Sequence, residues 1–158
     1  MVEPNLYLVW SISGCFKGRK CTHGLFCQFT DNDREYFLDE KKADIIYQRL
    51  SQISSEDYER ELKLYYRTFG PNDVLTSSVL ESTNQEYIEK FPDEIFCLWK
   101  ISNTSLIPTV INLYNFKDLV LKELEKYESS IDANDYFYGI DRIVINNENM
   151  SLNIDLDI

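Results

Sequence analysis

The residues best suited to chemistry lie close together near the start of the chain. Cys15, Cys21, His23 and Cys27 comprise three of the four cysteines and the one histidine. Thiolate and imidazole ligands of this kind suit a tetrahedral zinc ion. Their spacing, C-x5-C-x-H-x3-C, lacks the tight C-x2-C knuckle of common zinc modules. If residues 25–30 form a strand, Cys27 shares a face with Leu25 and Phe29, as an ordinary core cysteine does. The expectation is therefore free thiols and no cofactor, with zinc on these four residues as the alternative. Cys21 and His23 are also separated by a single residue, a spacing that suits a nucleophile and its base. A thiol enzyme further needs an orienting group and an oxyanion donor, and neither can be located.

Carboxylates are the second chemical resource. Asp31, Asp33 and Glu35 form one cluster, and Asp132 with Asp135 another. An EF-hand loop beginning at Asp31 needs glycine where Tyr36 stands and glutamate where Lys42 stands, so that reading fails. The E-x-K of Glu40–Lys42 sits at a helix start, where capping and solvation explain it. Phosphate-cradling glycine loops, nucleophile elbows and zinc-protease motifs are absent from the sequence. A non-enzymatic chain is expected, with a metal-dependent enzyme built on the acidic clusters as an alternative.

Charge directs the choice of partner. The chain of 158 residues has 27 acids against 16 bases, a net charge of −11. Residues 1–30 carry only Glu3 against Lys17, Arg19 and Lys20, so the excess acid lies beyond them. The three bases, beside Phe16, read as a solvated hairpin tip rather than a nucleic-acid footprint. An acidic body suits a cationic protein partner and repels nucleic acid and anionic lipid. Tyrosines accompany the acids, and tyrosine supplies rigid amphipathic contact area. The expected partner-binding residues are Asp31, Asp33, Glu35, Tyr66, Asp132, Asp135 and Tyr136. About half of the tyrosines should instead be core or sheet residues, given their intermediate burial preference. The favoured function is an immunity protein that neutralises a cationic toxin such as a nuclease. A zinc-bearing adaptor of viral or phage type, using the Cys15/Cys21/His23/Cys27 cluster, is the rival.

No run of 18 apolar residues is present, so no membrane span is expected. Leu6–Ile12 is apolar, but Glu3 and the lack of an early Lys or Arg argue for a strand over a signal peptide. With free thiols, a cytoplasmic location follows.

The elements that must position these residues read as one α+β domain over 1–158, with a mostly antiparallel sheet and three to four helices. Leu6, Leu8, Trp10 and Ile12 alternate with polar or outward positions as a strand. Strands over 25–30 and 35–38, separated by an Asp31–Asp33 turn, complete an N-terminal meander. Ala43, Ile46, Tyr47, Leu50 and Ile53 make a helical stripe. A second stripe, Tyr58, Leu62, Tyr65 and Phe69, predicts another helix ended by Gly70-Pro71. Helical character over 74–80 is less marked. Thr83 and Glu86 form a capping box for a short helix before Pro92. Glu94–Ile101 reads as a strand covered on both faces. Pro108 confines the next strand to an edge or an end. Asn115 caps a helix that uses Phe116, Val120, Leu124 and Tyr127. Residues 136–145 and 150–158 form a C-terminal hairpin. No internal repeat is evident.

Overall fold

The alternation of Leu6, Leu8, Trp10 and Ile12 does produce a strand, β1 (Leu6–Gly14), in the computed structural model of the chain. That structure describes residues 5–14, 29–52, 61–74, 91–103, 105–145 and 151–155. After β1 come β2 (Phe29–Phe37), α1 (Glu40–Ser51), β3 (Glu61–Phe69), β4 (Glu94–Ser102), β5 (Pro108–Tyr114), α2 (Lys117–Glu128), β6 (Tyr136–Ile145) and β7 (Ser151–Asp155). Short 3-10 turns cover Pro71–Val74 and Ala133–Asp135. The fold is α+β, with two antiparallel sheets ordered β2-β1-β3 and β5-β4-β6-β7.

Period-two burial decides how the layers stack. Leu6, Leu8, Trp10 and Ile12 of β1 share one buried cluster with Ile95, Cys97, Trp99 and Ile101 of β4 and Ile143 of β6. The two sheets therefore meet face to face through these residues. On the far side of the first sheet, α1 packs over Val9 and the Tyr7–Tyr66–Tyr47 aromatic group. On the far side of the second, Val120 and Leu124 of α2 pack with Phe96, Leu98, Tyr114 and Ile140. The order of layers is helix, sheet, sheet, helix.

The same unit occurs twice. In each half the first strand is central and the second pairs with it. A twelve-residue helix follows, and the next strand pairs with the first strand's other edge. Trp10 of the first unit meets Trp99 of the second edge to face, with ring centroids 5.8 Å apart. Such a pair contributes about 1 kcal/mol beyond its burial. The absence of a repeat, expected from sequence, is thus corrected at the level of topology.

Other expectations need correction. Residues 61–69 form strand β3 rather than a helix. Leu62, Tyr65 and Phe69 do lie on a helical stripe, but the segment is rich in Tyr, Thr and Phe, and β1 offers it a pairing edge. The expected turn at Asp31–Asp33 lies inside β2, where Asp31, Asn32 and Asp33 pair with Ser13, Ile12 and Ser11. The expected turn and the strand over 35–38 are one continuous strand with residues 29–30, and residues 25–28 lie outside the described residues. Two α-helices stand among the described residues instead of three to four: one stripe became β3, and another expected helix falls outside the described residues. The helix expected from Thr83, up to residue 90, the segment over 75–80 and the turn at 146–149 lie outside the described residues.

Local capping chemistry fits α1. Asp39 stands at its N-cap and accepts from the Lys41 backbone N–H at 2.9 Å, with Arg49 in the last turn. For α2 the N-cap position falls on Phe116, with no side-chain cap, so Asn115 is one residue too early. β5 begins at Pro108 and is an edge strand, as the missing N–H requires.

Candidate functional site

Continuity of β2 through residues 31–33 has a chemical consequence. It sets Arg34 opposite Trp10 and Tyr36 opposite Leu8, on the face turned toward the second sheet. Across the gap, β6 places Asp141 beside Cys97 of β4. Arg34 Nε and Nη2 donate to Asp141 Oδ2 and Oδ1 at 2.6 and 2.7 Å, a two-pronged ion pair. The Tyr36 hydroxyl donates to the same Oδ2 at 2.8 Å. The Arg34 guanidinium also lies 4.0 Å from the ring centroid of Trp99, a cation–π contact strengthened by exclusion of water. Arg34 is 5% exposed and Asp141 is fully buried. Charges this deep persist only when paired and hydrogen-bonded.

The neighbouring groups respond to that environment. Burial, with the Asp141 carboxylate beside it, pushes the Cys97 thiol up to about 12. Burial raises the Tyr36 hydroxyl well above its ordinary value, with Cys97 and Asp141 adding to the effect. Both stay protonated at neutral pH, and every member of the group is buried. The cluster joins two sheets and offers a substrate no access.

The residues expected from sequence to bind a partner fall on two separate surfaces. Asp33 and Glu35 are exposed on β2, an edge strand, on the face covered by α1. Asp31 belongs to the same strand and pairs with Ser13. Glu35, Val9 and Tyr66 occupy one cross-strand row. The hydroxyl of Tyr66, however, has no solvent-accessible surface, and its ring packs against Tyr7 and Tyr47. Burial, with Asp44 and Glu40 nearby, pushes it up to about 12. Tyr66 is half-buried beside α1, with its hydroxyl covered.

The second surface is the turn between α2 and β6. Asp132 and Asp135 are exposed there. Tyr136 opens β6 on the α2 side, with Lys100 Nζ 4.3 Å from its ring centroid. The structure thus brings Asp33 together with Glu35, and Asp132 with Asp135, on the outer sides of different sheets. Cys15, Cys21, His23 and Cys27 lie outside the described residues. Among the described residues no group of three or more His, Cys, Asp or Glu is placed to hold a metal ion, and no helix is long and apolar enough to cross a membrane.

Among the described residues no cation pairs with Asp33 or Glu35. Partial burial, and then the Asp33 carboxylate, raise the Glu35 pKa. Folding therefore opposes ionisation of Glu35. The resulting penalty is absent below the carboxylate range and sets in as pH rises through it. Glu35→Gln is expected to stabilise the protein at pH 7 by a few tenths of a kcal/mol, as for exposed charge pairs. The gain should vanish at pH 3, and thermal unfolding of both forms at the two pH values measures it.

Searches against protein-family models, curated proteins and solved structures return no significant match. Function must be argued from the residues and their geometry.

Proposed function

We propose that the chain is a non-enzymatic, acidic protein-binding inhibitor of the immunity-protein kind. It would act in the cytoplasm and occlude a cationic toxin, a nuclease being the natural example. The observation that carries this reading is the pair Asp33 and Glu35. These are neighbouring exposed carboxylates on an edge strand, with Glu35 held at a raised pKa partly by Asp33. A cationic partner relieves that repulsion on contact. The net charge of −11 adds long-range attraction and accelerates association with a basic surface. A nuclease groove must be positive to hold phosphate, so an acidic protein of this type can compete for it.

The test is kinetic. Full-length protein is used to recover a partner from native lysate at low salt, and the partner is purified. Its association rate constant is then measured as salt rises. A basic partner whose association slows at least about tenfold between 50 mM and 500 mM salt supports the reading. Neutralising Asp33 and Glu35 together, or Asp132 and Asp135 together, should slow association several-fold without lowering the melting temperature. Failure of every basic protein to bind at any salt sinks it.

A further inference from the structure

Ile131 is fully exposed, at 101% of its reference area. Its turn is nevertheless firmly built. The Ser130 backbone N–H donates to the Tyr127 carbonyl, Ala133 to Ser130, and Asp135 to Asp132. From β4's end, the Asn103 backbone N–H donates to the Asp135 carbonyl at 3.0 Å, and Asn103 Nδ2 to that of Asn134 at 2.6 Å. A branched apolar side chain is therefore held out in water by a segment pinned at both ends. Little conformational freedom remains to be lost when this turn docks.

Its surroundings suggest the occupant. Ile107 is 54% exposed and Phe137 is 40% exposed. Both lie at the same end of the second sheet, where Ile101 pairs with Pro108 on one side and Phe137 on the other. Exposed Asp132 and Asp135 follow Ile131 in the turn, residues 127–141 contain no Lys or Arg, and Lys100, which approaches from β4, lies over the Tyr136 ring. Lys126, just before, is paired with Glu123 at 3.0 Å. A second copy of the chain would bring like charge against this tip, and so would nucleic acid or anionic lipid.

We infer that the α2–β6 turn is the anchor of the partner surface. Ile131 inserts into an apolar socket on a cationic protein, and Asp132 and Asp135 form the charged rim. This rests on the reading of the chain as a binder of cationic protein; it places the apolar anchor at the second acidic surface and leaves Asp33 and Glu35 to steer the encounter. Ile131 slows dissociation, while the acids speed encounter.

The test uses the full chain with labelled isoleucine methyls, titrated at 150 mM salt with a short synthetic peptide of alternating lysine and leucine. Ile45, 55% exposed on α1, is the internal control on the other acidic surface. Selective shifts of Ile131 and Ile107, with affinity reduced about tenfold by Ile131→Ala, support the anchor. Shifts confined to Ile45, or equal at Ile45 and Ile131, overturn the anchor and leave the inhibitor reading standing. No shift at any isoleucine, together with no basic partner at low salt, overturns both.

Discussion

Asp141→Asn is expected to lower stability by about 3–5 kcal/mol, the cost of removing one charge from a buried ion pair. Asparagine preserves the shape of Asp141 and can still accept from the Tyr36 hydroxyl. It cannot neutralise Arg34, which is 5% exposed and sits against Trp99. Domains of this kind have about 5–15 kcal/mol in total, so the loss is a large fraction of the whole. Arg34→Met alone should cost a similar amount by orphaning the carboxylate. The informative variant is the triple replacement Arg34→Met, Tyr36→Phe and Asp141→Leu, which removes both charges and the hydroxyl that depends on them. Because desolvation offsets much of the Coulomb gain of a buried pair, this variant should recover most of the loss. Urea midpoints of the four proteins, at constant slope, measure the effect. A triple variant no more stable than Asp141→Asn would mean that the ion pair contributes more than its own desolvation cost.

This cluster also marks where sequence reasoning stops. The alternation in β1, the doubly covered β4, the edge position imposed by Pro108 and the C-terminal hairpin all follow from local patterning, and the structure contains them. Arg34 and Asp141 are separated by 107 residues, and no local pattern pairs them. Arg34 stands between Asp33 and Glu35 in the sequence, with nothing local to mark it as buried. Only the strand register, which runs through Asp31–Asp33 without a turn, sets it inward, because a one-residue slip reverses every side chain. β3 was hidden for a different reason, since Leu62, Tyr65 and Phe69 satisfy a helical period while their neighbours satisfy a period of two. The repeated topology leaves only a faint trace in sequence. Leu6–Ser13 (LYLVWSIS) and Ile95–Ser102 (IFCLWKIS) share Trp, Ile and Ser at matching positions and similar apolar residues before them. The candidate partner surface was half legible: charge and exposure were foreseeable, but burial of the Tyr66 hydroxyl and presentation of Ile131 depend on how the helices pack.

Gly139→Ala is expected to cost about 3 kcal/mol, at the upper end for overpacking a well-filled core. A Cβ at this position would lie 2.0 Å from Trp99 Cζ2, 2.4 Å from Cε2 and 2.7 Å from Cη2. These are ring atoms, and the ring cannot yield one of them alone. Moving the indole would disturb both the edge contact with Trp10 and the stack under Arg34. The corresponding position opposite Trp10 in the first unit is Tyr65, so the glycine is needed only where the second indole lies flat over its strand. The effect should reverse when the ring is removed. In a Trp99→Leu background the space is open, and alanine is favoured over glycine in a strand interior by about 0.5–1 kcal/mol. Gly139→Ala should then be neutral or stabilising, giving a coupling of about 3–4 kcal/mol in a double-mutant cycle. Urea unfolding followed by the fluorescence of Trp10, retained in every variant, provides the readout. Equal costs in both backgrounds would show that the glycine serves its own backbone and not the indole that covers it.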